Sequence, residues 1–218
     1  MSKRIEAILF DFDGTLANTL PLIFHSFKAL FKEFKNKEIS SEDIVDMFGP
    51  TEVGIIHNHF TKDKEKAIRR FYELYKDKHP EFLHKTEEIE DLLKFLKEKD
   101  LKLGIVTGKG SQTLEISLDL LDIKNYFDVL ISGDDTKIPK PDPEGIFKAL
   151  DILKISPQKT IFIGDSDADI GAGQKADVYL TIGVNWISDY LQFNLKPDFI
   201  FKDVKEFRNL VEKELEMN

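Results

Sequence analysis

The sequence predicts an α/β fold in which a doubly wound parallel sheet carries an inserted all-helical domain. Five short apolar runs rich in β-branched residues alternate with amphipathic helical patterns along most of the chain. Strands that alternate with helices form parallel sheets, with helices on both faces. From about residue 17 to 84, by contrast, the pattern is helical throughout and contains no strand-like run. This second observation predicts a block of helices inserted after the first strand.

The five apolar runs are the predicted strands of the sheet. They cover residues 5–10, 101–106, 129–131, 160–163 and 178–184. Core helices are predicted over residues 86–98, 111–121 and 143–153, where apolar residues recur at helical spacing. The residues predicted to face the core are Ile89, Leu92, Leu93 and Leu96 in the first helix, Leu114, Leu118 and Leu121 in the second, and Ile146, Phe147, Leu150 and Leu153 in the third.

The inserted block is predicted to hold four helices, over residues 21–34, 41–47, 51–60 and 63–78. Asn18 or Thr19 can cap the first of them, and Pro21 suits its first turn. We therefore expect residues 17–84, named the cap here, to form a helical lid. Residues 1–16 together with 85–218 are expected to form the α/β core.

Composition limits the classes of function. The chain has 218 residues, with 31 Lys and Arg against 40 Asp and Glu, and a net charge of -9 argues against nonspecific nucleic-acid binding. It has no cysteine, which excludes a cysteine nucleophile, disulfides and thiolate metal sites. The first apolar run is too short for a signal-peptide core or a membrane span. We expect a soluble cytoplasmic protein with no membrane partner, and the sequence is compatible with a monomer.

Charged and hydroxyl side chains follow the predicted strands, at the edge where parallel sheets bind ligands. Asp11 and Asp13 follow the first strand and would project to the same side if the extension continued, while Gly14 permits a sharp turn. Two carboxylates this close repel each other unless they share a cation or a proton. The other strand ends contribute Thr107, Gly108, Lys140, Asp165 and Asp169.

These residue types together supply the parts that phosphoryl transfer needs. Asp11 offers a carboxylate nucleophile, and Asp13 is close enough to protonate a leaving group and later activate water. Asp11, Asp165 and the backbone carbonyl of Asp13 are the oxygen ligands predicted for Mg²⁺. Thr107 offers a hydroxyl and Lys140 a cation to the phosphoryl oxygens. Backbone N–H groups near Gly14 and Gly108 could complete the phosphate cradle.

The chain resembles the haloacid dehalogenase-like hydrolase superfamily. The resemblance rests on Asp11-x-Asp13-Gly14-Thr15, on Thr107 after a strand, on Lys140-Pro-Asp-Pro, and on Gly164-Asp165-x-x-x-Asp169, in that order. The helical insertion is similar to the cap of the branch that holds phosphoglycolate phosphatases, pyrophosphatases and β-phosphoglucomutase.

The resemblance implies a Rossmann-like core and a function. Asp11 would be the nucleophile, Asp13 the general acid and base, Thr107 and Lys140 the phosphoryl binders, and Asp165 a metal ligand. Asp169 would orient Lys140 or the metal shell. The implied enzyme is a Mg²⁺-dependent phosphatase that hydrolyses a small phosphate monoester, such as phosphoglycolate, or an anhydride through a phosphoaspartate.

Two alternatives stay open at this point. A sugar-phosphate mutase would use the same residues and return the phosphoryl group to its substrate. A non-enzymatic phospho-receiver switch also places acidic residues, Thr and Lys at strand ends, but the helical insertion and Asp13 oppose it. Residues 48–52 (Phe-Gly-Pro-Thr-Glu) interrupt the cap helices and are a candidate substrate-contacting loop. Residues 108–111 (Gly-Lys-Gly-Ser) lack the spacing of a P-loop and are not a Walker motif.

Overall fold

A computed structural model describes residues 5–187 and 193–216. Its centre is a six-stranded sheet, parallel throughout, with the strand order β3-β2-β1-β4-β5-β6. The strands are β1 (Ala7–Phe10), β2 (Lys102–Val106), β3 (Val129–Ile131), β4 (Thr160–Gly164), β5 (Leu180–Val184) and β6 (Phe199–Phe201). The predicted doubly wound α/β class is confirmed. Residues 1–4, 188–192 and 217–218 of the predicted core lie outside the described residues.

The register of the central strands brings their carboxyl ends to one level. Phe10 is paired with Ile105 of β2 on one side and with Ile163 of β4 on the other. Strands β1 and β4 are buried along their whole length, as expected for continuous apolar runs at the centre of a parallel sheet. The residues that follow these strands therefore meet at a single edge of the sheet.

Strand β6 and the last helix were not predicted from the sequence. β6 has only three residues, too few for an alternating pattern to identify a strand in the sequence. Phe199 and Ile200 are exposed, so the segment also has no buried face of its own. Pairing with β5 at the edge of the sheet makes it a strand. The helix α9 (Val204–Glu216) follows it and buries Val204, Phe207 and Val211.

Three of the four remaining core helices follow the predicted pattern closely, and the fourth, α8 (Asp167–Lys175), was not among the predicted helices. The first three are α5 (Glu87–Glu98), α6 (Ser111–Leu120) and α7 (Glu144–Leu153). The predicted inward leucines of α5 and α6 are buried. One prediction in α7 is wrong, because Phe147 is 43% exposed while Ile146 and Leu150 are buried. Phe147 lies beside the buried stripe, and helical spacing alone does not set the width of the face that the sheet covers.

Between β1 and α5 the cap forms four helices, with no strand, as predicted. They are α1 (Leu20–Lys35), α2 (Ser41–Val45), α3 (Glu52–His59) and α4 (Lys64–Phe82). Thr19 is the residue before α1, but its side chain makes no capping hydrogen bond, contrary to the expectation from its type. Helix α4 continues past its predicted end at Lys78 and includes Pro80. His79, in that last turn, is buried against α6, and this packing accompanies the extra turn.

Apolar packing and a small polar cluster join the cap to the core. One continuous apolar cluster contains Phe10 and Phe12 of the core together with Phe27 and Phe71 of the cap. Full burial of side chains of this size contributes roughly 1.5–3 kcal/mol each. None of the helices in the described part of the chain is long and apolar enough to cross a membrane.

The polar cluster lies between α4 and α6. The Tyr75 hydroxyl lies 2.8 Å from Ser117 Oγ, and His79 Nε2 lies 3.2 Å from the same oxygen. Burial lowers the pKa of His79 to about 4, so its ring is neutral at pH 7. The cluster therefore adds hydrogen bonds across the interface without adding a buried charge from His79.

Candidate active site

Three carboxylates converge at the carboxyl ends of β1 and β4. Asp11, Asp165 and Asp169 each place one carboxylate oxygen within 4.8 Å of the others. Asp11 and Asp169 are buried, with 6% and 1% of their surface exposed. Gly14 allows this approach because its φ is +83° and a Cβ there would lie 2.0 Å from Asp165 Oδ2. A side chain at position 14 would therefore displace Asp165.

Lys140 inserts its ammonium group among these carboxylates. Its Nζ donates hydrogen bonds to Asp11 Oδ1 at 2.7 Å, to Asp169 Oδ1 at 2.5 Å and to the Val106 carbonyl at 3.1 Å. Burial lowers the pKa of Lys140, but the two carboxylates outweigh burial and raise it above its usual range. Lys140 is therefore charged, and it is 129 residues from Asp11 in the chain.

Asp169 is held from two sides. Its Oδ1 accepts from Lys140, and its Oδ2 accepts from the Ser166 hydroxyl at 2.5 Å and from the Ser166 N–H at 3.1 Å. Ser166 in turn caps α8 by accepting from the Asp169 N–H at 3.3 Å. This capping box explains the sequence spacing Ser166-x-x-Asp169, because residue N3 of a helix can reach back to the N-cap.

The acidic cluster carries more negative charge than Lys140 neutralises. Burial raises the pKa of Asp11 to about 7, with Asp169 and Asp13 adding to the effect and Lys140 opposing it. Burial, Asp11 and Asp169 together raise the pKa of Asp165 to about 8. Carboxylate oxygens are the ligands that Mg²⁺ prefers, and one or two carboxylates with waters and phosphate oxygens suffice to hold it. The donor set and its excess negative charge therefore fit a divalent cation.

Asp13 occupies different surroundings from Asp11. Its Oδ1 accepts a hydrogen bond from the Thr19 hydroxyl at 2.5 Å and lies 3.3 Å from Lys109 Nζ. The contact with Asp13 explains why Thr19 does not cap α1, since its hydroxyl is used on the aspartate. The Asp13 side chain does not belong to the three-carboxylate cluster. That the backbone carbonyl of Asp13 faces a metal stays a prediction.

Thr107 and Gly108 lie where β2 ends. Thr107 is buried and its N–H bonds to the Ile131 carbonyl at 3.0 Å, while its hydroxyl accepts from the Lys109 N–H at 3.3 Å. Gly108 faces open space, with no atom within 4 Å of the position a Cβ would take. Both residues therefore present polar groups beside the acidic cluster, although neither bonds to it directly.

A cavity of about 300 Å³ lies between this edge of the sheet and the cap. The core side of its wall includes Asp11, Asp13, Thr107, Gly108, Lys140, Asp165 and Asp169. Gly14 lies behind Asp165 and is not part of the wall. The cap contributes Leu20, Ile23, Phe27, Ile55 and residues 48–52. The candidate loop of the cap thus borders the same cavity as the strand-end residues.

Lys109 was not predicted as a site residue, and Glu52 was named only as the last residue of the candidate loop, residues 48–52. The Lys109 side chain is completely buried, and its Nζ lies 3.3 Å from Glu52 Oε1 and 4.8 Å from the centre of the Tyr75 ring. Glu52 also accepts from the Thr113 hydroxyl at 2.7 Å and from the Gly110 N–H at 2.8 Å. Only the position of Lys109, two residues after Thr107 at a strand end, could have pointed to it. The break in the cap helices pointed to the loop that Glu52 ends, but no local pattern pointed to its contact with Lys109.

The charges of this pair are stabilised by their mutual contact. Burial raises the pKa of Glu52, but Lys109 and the Thr113 hydroxyl outweigh burial and lower it below its usual range. Burial likewise lowers the pKa of Lys109, and Asp13, Tyr75 and Glu52 together raise it above its usual range. Both groups are therefore charged at neutral pH.

Comparison with known proteins gives three further findings. The family model described as haloacid dehalogenase-like hydrolase matches residues 8–182. A Bacillus cereus protein named pyrophosphatase PpaX is 34% identical over 210 residues, which cover 93% of this chain and 94% of that protein. Among solved structures, a Haemophilus somnus protein described as a predicted phosphoglycolate phosphatase has a TM-score of 0.81 at 22% identity. The alignment covers 97% of this chain and 100% of that protein.

A second solved structure extends the comparison to the mutases. A Thermotoga maritima protein provisionally described as a β-phosphoglucomutase has a TM-score of 0.73 at 25% identity and covers 96% of this chain and 99% of its own. Hydrolases and mutases thus share the fold, which by itself does not separate the two outcomes. The family match spans most of the sheet and all four strand-end motifs, and the chain belongs to the haloacid dehalogenase-like hydrolases.

Proposed function

We propose that the protein is a Mg²⁺-dependent phosphatase that acts on a small phosphate monoester or anhydride through a phosphoaspartate on Asp11. The observation that carries the proposal is the junction of Lys140 with Asp11 and Asp169 beside the carboxylate of Asp165. This junction holds a nucleophile, a fixed cation and an acidic metal site at one edge of a cavity. The membership of the chain in a hydrolase family supports the same reading.

The residues that would hold Mg²⁺ are Asp11, Asp165 and the backbone carbonyl of Asp13, with Asp169 beside them. Bound there, the ion would neutralise phosphoryl oxygens and keep Asp11 and Asp165 ionised. Lys140 would supply the second positive charge to the phosphoryl group. The Thr107 hydroxyl and the open backbone at Gly108 would donate to its remaining oxygens, which is how preorganised donors stabilise developing charge.

The proposed reaction has two transfers. A carboxylate oxygen of Asp11 attacks phosphorus, the bond from phosphorus to the leaving oxygen breaks, and Asp13 gives its proton to that oxygen. In the second step Asp13 takes a proton from water as the water attacks the phosphoaspartate. The bond between phosphorus and Asp11 then breaks and releases inorganic phosphate. Positioned proton transfer of this kind contributes about 10²–10⁴ in rate.

We also propose that residues 17–84 act as the cap domain of this site. Their contact with the cavity supports a role in excluding water during the first transfer, when free water would compete with the leaving group. The mutase alternative is less supported than hydrolysis, because the curated relative that covers nearly the whole chain is named as a pyrophosphatase. A mutase would release isomerised sugar phosphate without free phosphate.

The experiment that tests the proposal is phosphate release from a panel of small phosphates with Mg²⁺. Asp11→Asn is the blank, and Lys148→Met, on an exposed face of α7, is the matched control. We expect the wild type and the control to release phosphate, and Asp11→Asn to be reduced by at least about 10⁴-fold because the nucleophile is lost. Near-normal release by Asp11→Asn would rule out the phosphoaspartate.

A further inference from the structure

We propose that the substrate of this site is a phosphate monoester whose leaving alcohol carries no negative charge and packs an apolar surface against the cap. This inference rests on the proposed function and narrows its substrate class. It follows from the charged and apolar side chains that line the cavity.

The cavity wall contains two cations, and the protein's own carboxylates engage both. Lys140 contacts Asp11 and Asp169 on the side assigned to the transferred phosphoryl group. Lys109 contacts Asp13 and Glu52, and its side chain has no exposed surface. Within the described residues, the wall includes no arginine, no histidine and no third lysine. A second anionic group on the substrate would therefore meet no available cation.

The cap side of the cavity is apolar. Its wall includes Leu20, Ile23, Phe27, Phe48 and Ile55. Ile23, Phe27 and Ile55 are buried, whereas Leu20 and Phe48 remain 40% and 41% exposed at the mouth. Phe48 is held in place by stacking on Phe24, with ring centres 6.4 Å apart and ring planes 6° from parallel. An apolar leaving group would cover these two exposed side chains and gain from their burial.

The polar part of the wall next to the cap offers no net positive charge to an anion. Glu52 of the cap and Asp13 of the core both face Lys109 there, so the three groups carry no net positive charge whether Asp13 is protonated or ionised. In the first turn of α3, the Gly54 N–H is already bonded to the Thr51 hydroxyl at 3.4 Å. Pro50, just before α3, has no N–H to donate.

Phosphoglycolate and pyrophosphate would each place a further anion against this wall. Juxtaposed like charges and a desolvated, unpaired anion both weaken binding strongly. We expect the specificity constant for an uncharged leaving group to exceed that for an anionic one of the same shape by at least about tenfold. That factor corresponds to about 1.4 kcal/mol. The difference is expected even though the curated relative is named a pyrophosphatase.

The test compares isobutyl phosphate with phosphoglycolate, since an isopropyl group and a carboxylate have nearly the same shape. Pyrophosphate is the third substrate, and kcat/KM is measured for each with saturating Mg²⁺. We expect isobutyl phosphate to be preferred by at least about tenfold over both. Equal or reversed preference would overturn the inference while leaving phosphatase activity established.

Phe48 allows a designed reversal of this preference. Phe48→Lys places a cation at the mouth of the cavity, and Phe48→Met is the matched apolar control. The inference requires Phe48→Lys to raise kcat/KM for phosphoglycolate relative to isobutyl phosphate, and Phe48→Met to leave the ratio unchanged. An unchanged ratio in both variants would contradict the charge argument.

A binding measurement separates this inference from the proposed function. Titration of Asp11→Asn with isobutyl phosphate and with phosphoglycolate, in the presence of Mg²⁺, reports selectivity without turnover. Preference for isobutyl phosphate with no phosphate release by the wild type would uphold the inference and refute the phosphatase. Tighter binding of phosphoglycolate would refute the inference, whatever the activity.

Discussion

Lys140 and Lys109 are two largely buried lysines that each bridge two carboxylates at the same cavity, yet their surroundings differ. Lys140 faces Asp11 and Asp169, and a third carboxylate, Asp165, lies beside them. Glu52, the partner of Lys109, is also satisfied by a hydroxyl and a backbone N–H. The carboxylates around Lys140 outnumber it by two and can still bind a cation. Around Lys109, by contrast, Glu52 already has a cation and two hydrogen-bond donors as partners.

Neither the burial nor the pKa of the two lysines separates a reactive site from a structural contact. Lys109 is buried, only 13% of the Lys140 side chain is exposed, and carboxylates raise the pKa of both. The two lysines differ in the pKa values of the carboxylates around them. Burial raises the pKa of Asp11 and Asp165, while the pKa of Glu52 is lowered by its bonds. Carboxylates with raised pKa values in a cavity are typical of functional sites.

The sharpest way to test the comparison is to remove each cation in turn. Lys140→Met should lower kcat by about 10²–10³-fold, because a preorganised charge that stabilises the transferred phosphoryl group is lost. The measurement is kcat on the best substrate of the panel, with Lys97→Met as the control. Lys97 pairs with Asp128 at 2.8 Å on the surface. Activity of Lys140→Met within threefold of wild type would show that Lys140 is not used in the reaction.

Lys109→Met should instead lower the free energy of unfolding by about 3–5 kcal/mol, since it leaves Glu52 buried and unpaired. Urea unfolding measures the loss. The double variant Lys109→Met/Glu52→Gln should recover part of it, because no ionised carboxylate remains without a partner. A loss below about 1 kcal/mol, as expected for Lys97→Met at the surface, would show that Lys109 stabilises the fold no more than a surface ion pair does.

Mg²⁺ should stabilise the folded protein through the Lys140 region alone. At a concentration 100 times the Kd, an ion that binds only the folded state adds about 2.7 kcal/mol. Thermal unfolding with and without Mg²⁺ tests this, and Asp165→Asn should remove the gain. Glu52→Gln should keep it, because Glu52 belongs to the other region. Loss of the Mg²⁺ effect in Glu52→Gln but not in Asp165→Asn would reverse the assignment.

A further expected effect is a pH dependence of the metal-free protein. The pKa values of Asp11 and Asp165 are raised on folding to about 7 and about 8, from an ordinary value of 3.8. The folded state therefore binds more protons than the unfolded state between about pH 4 and pH 8, and stability falls as pH rises through this window. Thermal unfolding from pH 5 to pH 8 in chelator measures the slope. Asp165→Asn should flatten it, and a slope unchanged by that variant would exclude the cluster as its source.

The sequence predicted the strand-end residues well because their positions follow from local patterns. An apolar run identifies each central strand, and parallel pairing then brings the ends together, so Asp11, Thr107 and Asp165 could be expected at one edge without coordinates. The same reasoning did not find β6, which only pairing with β5 makes a strand. It misjudged Phe147, because the extent of a buried helix face depends on what packs against it.

Pairwise contacts across the interface between cap and core were beyond local patterns. Thr19 was a candidate helix cap and instead donates to Asp13, and residues 108–111, which lack the spacing of a P-loop, contain the buried Lys109. In neither case do the two contacting residues lie at the short, regular spacing by which a helix or strand pattern reveals its contacts. The contact between Glu52 and Lys109 spans 57 residues.

The sequence by itself determined the family, the segments that form the motif-bearing strands, and the kind of chemistry that their residue types can perform. Those properties depend on residue type and local spacing, which the chain states directly. Only the tertiary structure decided that Lys140, and not Lys109, lies in the three-carboxylate cluster and that the cap brings an apolar wall without an available cation. Charge balance in a cavity is a sum over distant segments, and folding alone brings those segments together.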